Sequence, residues 1–176
     1  MGTTHDFGDG NGEVHAHRHP NGGGWVADTA SVADTAYVYI AATVRDYAVV
    51  CDSATVRDSA VVRDSALVCD SATVRDSAVV RDYAVVCDSA VVSGTSTVRD
   101  SATVRDSATV RDSAVVRDSA VVRDSAEVRD AAEVCGSAEV RDLAVVCDSA
   151  TISGESEISG YEIVSGEAVV HNMRLT

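Results

Sequence analysis

Valine or isoleucine occupies every sixth position from Val26 to Val170, 25 positions in a row without an insertion or deletion. An alanine usually stands two residues earlier, as Ala54 before Val56, Ala60 before Val62 and Ala108 before Val110. A period of six is not helical, because an α-helix repeats every 3.6 residues and would spread these positions around its surface. In a strand, alternate side chains point to the same side. Ala54 and Val56 then face one way, Thr55 and Arg57 the other. The commonest unit is Val-Arg-Asp-Ser-Ala-x, as in Val56 to Val61. Its Asp-Ser pair is turn chemistry, since an aspartate can bond the backbone two residues on and tolerates unusual dihedrals. Each hexad therefore predicts a short strand followed by a corner.

One hexad cannot bury its valine alone, but stacked coils can. On these aliphatic and small positions the chain resembles the hexapeptide-repeat proteins, which fold as left-handed parallel β-helices. The resemblance runs from Val26 to Val170. It implies an all-β solenoid of triangular coils, each of three hexads or 18 residues, and about eight turns. At ~4.8 Å per coil the prism would be roughly 40 Å long. The residue after the aliphatic position departs from the family pattern. It is mostly Arg, Cys or Ser, and the Asp or Gly comes one place later. Residues 1–24 read as a non-repeating Gly- and His-rich cap or arm, 25–170 as the β-helix and 171–176 as a C-terminal tail.

An 18-residue coil stacks residues that the linear sequence separates. Arg45, Arg63, Arg81, Arg99 and Arg117 form one column, and Asp46, Asp64, Asp82, Asp100 and Asp118 run beside it. The expected result is a solvated, mutually neutralising surface. Cys51, Cys69 and Cys87 also stack, with Val49, Leu67 and Val85 as outward neighbours on the same strands. One face thus loses its charge over three coils. A contiguous outward apolar patch marks an interface, so these six residues are the candidate surface for self-association. Three thiols in a line do not offer a tetrahedral metal site. The coil spacing is within disulfide range, but an odd ladder leaves one thiol over. Cys135 and Cys147 read as replacements of Arg.

The charge of -14 is acidic, and every basic residue is an arginine. Such a surface repels phosphate backbones, which disfavours nucleic acid as a partner. No apolar run approaches the ~20 residues of a membrane span, and the first residues, MGTTHDFGDG, carry no signal-peptide pattern. Five cysteines without such a pattern favour reduced thiols. The expected setting is cytoplasmic, or a virion or extracellular filament.

The first 24 residues hold four of the five histidines. His15, His17 and His19 alternate and would share one side of an extended segment, with His5 and Asp6 as further donors. Neutral imidazoles on one side are a candidate site for zinc or nickel, and no other cofactor is expected. Phe7, Trp25, Tyr37, Tyr39 and Tyr47 are expected to form a small core between cap and first coils. At the other end Ser153-Gly154, Ser159-Gly160 and Ser165-Gly166 replace Asp-Ser. Glu162 falls where Ala normally points inward, so a charged terminal turn is expected.

Many hexapeptide β-helix proteins are acyltransferases, and some are carbonic anhydrases. The resemblance implies a catalytic His beside an extruded loop for the former and three His from separate coils for the latter. Here the period never breaks, and no His lies between His19 and His171. The expectation is a non-enzymatic rigid rod that self-associates laterally or end to end, as in a phage or bacterial surface or fibre component. Alternatives are an acyltransferase by fold analogy, an acidic inhibitor that binds another protein, and an ice-binding protein. The last is weakened by Thr103-Val104-Arg105, where a charge interrupts the flat threonine plane.

Overall fold

Each hexad folds as a two-residue strand and a tight corner, and the corners turn the chain through three parallel sheets in rotation. The computed structural model describes residues 3–176. The first sheet gains its parallel strands from Trp25–Ala27, through Thr43–Val44 and Val61–Val62, to Val169–His171. The second runs from Ser31–Val32 to Arg174–Leu175, and the third from Tyr37–Val38 to Ile163–Val164. Register follows the coil: Leu67 pairs with Val49 behind it and Val85 ahead, each 18 residues away. The chain is an all-β parallel solenoid of about eight turns.

The corners explain the aspartates. Every sixth residue from Asp46 to Asn172 has φ in the left-handed region, between 52° and 72°, and only Asp, Gly and Asn occupy these places. A left-handed dihedral costs most residues roughly 1–2 kcal/mol, because Cβ crowds the following carbonyl. Asp and Asn tolerate it through local hydrogen bonding, and Gly has no Cβ. The glycines of the Ser-Gly units stand at the Asp place and therefore keep the same corner.

The core is nearly uniform. Val44 through Val146 at the repeat position are fully buried, and so are almost all of the alanines two residues earlier. Each buried valine contributes on the order of 1.5–3 kcal/mol. Ser96 and Ser156 replace two of these alanines. Their hydroxyls donate to the Ser93 and Ser153 carbonyls, both at 2.7 Å, so neither leaves an unpaired polar group inside.

At the N-terminal end Thr4–Asp6 and Glu13–Arg18 make an antiparallel hairpin, and the second strand pairs antiparallel with Trp25–Ala27. The expected cap is thus a sheet extension that covers one edge of the first sheet. Gly24 sits where an added Cβ would lie 2.4 Å from both the Tyr39 carbonyl oxygen and a Val38 methyl.

The expected aromatic core does not form as one cluster. Trp25 is sandwiched between His5, stacked at 4.1 Å, and the Arg18 guanidinium at 4.1 Å, with Phe7 edge-on to His5. Tyr37 and Tyr39 stack on each other at 6.4 Å, and Tyr47 is 71% exposed because its corner position points away from the prism.

Residues 171–176, expected as a tail, continue the solenoid: Arg174–Leu175 pairs with Glu157–Ile158. The partner of Glu157 is Arg174, one residue short of the usual 18. Glu162 is half-buried, while Tyr161, Ile163 and Val169 are exposed beside the exposed Glu155, Glu167 and Arg174, so the last coil shows apolar as well as charged groups.

Candidate functional site

Val49–Val50, Leu67–Val68 and Val85–Val86 are neighbours in the second sheet and place Val49, Leu67 and Val85 in one outward column. The Cys51 N–H donates to the Val68 carbonyl at 2.9 Å and the Cys69 N–H to Val86 at 3.0 Å, which stacks the three cysteines in a second column. All six residues are half-buried. Ser31 and Ala33 precede them in the coil before, and Thr103 with Arg105 follows. The six residues singled out from the sequence are therefore brought together on one face.

All five cysteines are free thiols. Burial, and then hydrogen bonding and charge from Asp88, push the Cys87 thiol up to about 11. Burial followed by Asp70 raises Cys69 well above its ordinary value, and burial followed by Asp52 raises Cys51. These sulfurs are protonated at neutral pH and present a weakly polar surface.

Beyond this face, charge is organised in pairs. Each repeat arginine reaches the aspartate that follows it: Arg81 to Asp82 at 2.7 Å, Arg99 to Asp100 at 2.7 Å, Arg129 to Asp130 at 2.6 Å. Further along, Glu127, Glu133, Glu139 and Glu157 add a carboxylate from the next coil to Arg111, Arg117, Arg123 and Arg141. The expected self-neutralising surface is present, and it is built from neighbours in sequence as well as across coils.

The histidines expected as metal donors do not converge among the described residues. His15 and His17 are exposed on the hairpin strand, and the His17 ring bonds Asp28 at 2.8 Å. His19 lies past the end of that strand, is buried, and has its Nδ1 against the Asn21 backbone. Its Nε2 has no hydrogen-bond partner among the described residues. His171 is exposed, with Nδ1 3.0 Å from the Ser153 hydroxyl and Nε2 2.9 Å from the Asn172 amide. Both of its nitrogens are engaged locally.

Two features escaped the sequence. A cleft of about 310 Å³ lies between hairpin and prism, walled by Phe7, Val14 and Tyr47, with the Asp9–Arg45 ion pair at 2.7 Å on its lining. The Asn11 backbone N–H, and after it the charge of Arg45, hold the Asp9 carboxyl below its ordinary value. Only the folded hairpin brings Asp9 to Arg45. The second feature is Asp52, Asp70 and Asp88, the aspartates that follow the stacked cysteines. Among the described residues they have no ion-pair partner. Its signal was readable: Cys-Asp stands where the repeat writes Arg-Asp.

No helix among the described residues is long and apolar enough to cross a membrane. Compared with protein-family models, with curated proteins and with solved structures, the chain has no significant match.

Proposed function

We propose that this chain is a non-enzymatic, rigid β-solenoid rod that serves as a structural or interaction module and associates side by side with copies of itself. The observation that carries this reading is the second face. From Ser31 and Ala33 to Val85 and Cys87 its outward strand positions carry no charge over four successive coils, on a chain of net charge -14. Burying the Val, Leu and Cys positions of this strip desolvates no charged side chain of its own, unlike the Arg–Asp columns elsewhere, while Asp52, Asp70 and Asp88 stay at the exposed corner beside it. Lateral contact is favoured over end stacking at the N-terminal end, because the Glu13–Arg18 strand already occupies the edge of the first sheet. Near-identical repeats suit a spacer whose length is tuned by coil number, and a phage or bacterial surface or fibre component is the setting proposed for it.

The test is solution mass by light scattering and sedimentation, with the full-length chain at several concentrations. Wild type is expected as a dimer or larger species, and Leu67→Arg as a monomer with an unchanged β-rich circular dichroism spectrum. A monomeric wild type, or a mass unaffected by Leu67→Arg, overturns the reading.

A further inference from the structure

We propose that Cys69, Cys87 and Asp70 form a binding site for a thiophilic divalent cation of the zinc and cadmium type. The proposal does not rest on self-association. It starts from a rule of the repeat and its local exception. Wherever Arg precedes a corner aspartate, the guanidinium lies against that carboxylate, as at Asp64, Asp82 and Asp100, each at 2.7 Å. At Asp52, Asp70 and Asp88 the preceding residue is Cys, and the carboxylates stand in one column without an internal cation. The position that elsewhere supplies positive charge here supplies sulfur.

The geometry gathers these donors. The Cys69 and Cys87 sulfurs and an Asp70 carboxylate oxygen all lie within 4.8 Å of one another. Neighbouring sulfurs around a tetrahedral ion with metal–sulfur bonds of ~2.3 Å sit a little closer than that, within reach of side-chain rotation alone. The parallel ladder holds both backbones rigidly, since Leu67 and Val68 pair with Val85 and Val86. Asp70 completes what the thiols in a line lack, a third ligand off their axis, and solvent can supply a fourth, as in open zinc sites. Two sulfurs and one carboxylate select a borderline or soft ion over magnesium or calcium, which take oxygen ligands.

The other cysteines are internal controls. Cys135 is followed by Gly136 and so has no corner carboxylate of its own. Cys147 lies near Asp130 and Asp148, but this group has a single sulfur, and Arg129 already holds Asp130 at 2.6 Å. Among the described residues only the second face offers two sulfurs with an unpaired aspartate. Cys51 extends the column, but a second ion would have to share the Cys69 sulfur, so one ion per chain is expected. On binding, each thiol loses its proton to solvent as its sulfur–metal bond forms. Two protons are released, and no electron is transferred.

The experiment uses untagged, reduced, metal-free full-length protein titrated with cadmium chloride. The thiolate-to-cadmium absorption band is followed together with native mass spectrometry. One cadmium per chain is expected, with the band saturating at one equivalent in monomers and in any oligomer alike. Cys69→Ser, which removes the sulfur common to both neighbouring pairs, should abolish the band, and Cys87→Ser and Asp70→Asn should each weaken binding about tenfold or more. Cys135→Ser should change nothing. Circular dichroism verifies folding, and Asp70→Asn, which keeps both sulfurs and the corner, remains decisive should a Cys variant misfold. Absence of a saturable thiolate band, a band that survives Cys69→Ser, or an unchanged affinity in Asp70→Asn overturns the proposal. Cadmium retained without the band places the ion elsewhere, at the histidines for example, and overturns it too.

Discussion

Asp82 joins two coils through one oxygen: it accepts Arg81 at 2.7 Å and, more weakly, the backbone N–H of Asp100 at 3.4 Å in the next coil. The same arrangement recurs along the columns, as from Asp64 to Asp82 and from Asp100 to Asp118. Where Gly takes the corner, the bond to the preceding aspartate shortens, to 3.1 Å at Gly94 and 3.0 Å at Gly136. A residue chosen for its backbone conformation thus also neutralises an arginine and ties adjacent turns together.

Substitutions at Asp100 should separate these roles. Its φ is 60°. Asp100→Asn keeps the left-handed preference and an acceptor, losing only the charge of the half-exposed Arg99 pair, worth under ~1 kcal/mol. Asp100→Gly keeps the conformation but loses the acceptor. Asp100→Ala loses both and should cost ~1–2 kcal/mol more than Asn. Asp100→Val should be the worst, since a β-branched residue is least at ease there. Denaturant midpoints in the order Asn, Gly, Ala, Val are expected, and an Ala variant as stable as Asn would show that the corner conformation is not limiting.

The valine ladder makes a sharper in-versus-out prediction. Val79 and Val80 are chemically identical neighbours, yet Val80 is fully buried and Val79 faces outward. Val80→Ala should cost ~2 kcal/mol through lost transfer energy and a cavity. Val79→Thr should stay within about 0.5 kcal/mol, because Thr97 holds the next place in that column. Equal losses in urea unfolding would mean that the two faces are assigned wrongly.

This in–out assignment was legible because strand geometry converts a six-residue beat directly into a buried stripe, and near-identical units make every coil testify to the same register. The corner dihedral was partly legible: Asp, Gly and Asn at one position share tolerance of φ near 60° and little else. The hairpin was not. In Glu13–Arg18 only Ala16 is buried, so hydrophobic alternation is too weak to announce a strand, and its pairing depends on the already folded edge at Trp25–Ala27. The final strand was hidden for a different reason. Met173 alone follows the Asn172 corner where two residues normally stand, so Leu175 reaches the inward side one place early.

The face that carries the candidate site was visible as a loss of charge, whereas its unpaired aspartates became meaningful only beside the Arg–Asp pairs. Those pairs predict how arginine can be replaced. Arg117 reaches Asp118 at 2.7 Å through one nitrogen and bonds Glu133 of the next coil through another. Glu133 raises the Arg117 guanidinium above its ordinary value, against an opposing effect of burial. A lysine ammonium cannot span both carboxylates with the same planar fork. Arg117→Lys should therefore cost ~0.5–1 kcal/mol, the modest scale reflecting a side chain about a third exposed. In the Glu133→Gln background, Arg117→Lys should cost measurably less. An unchanged cost in that double-mutant cycle would remove the inter-coil bridge from the account.

Glu157 gives the acid limb of the same argument. Hydrogen bonding from Arg141, opposed by partial burial and reinforced by the charges of Arg141 and Arg174, holds its carboxyl below the ordinary 4.5. Arg174 approaches its other oxygen at 3.2 Å, so Glu157 clamps the last strand of the second sheet to the coil before it. A carboxyl depressed in the folded state binds fewer protons there than in the unfolded chain. Its contribution is fully present above pH 4.5 and is lost as pH falls through the lower folded value. Wild type should then lose stability between about pH 5 and pH 3 more steeply than Glu157→Gln, while the two respond alike above that window. Hydrogen exchange would localise the effect, with the Arg174–Leu175 strand deprotecting first as the pH is lowered. Parallel stability curves for the two proteins down to pH 3 would show that this clamp does not hold the final strand.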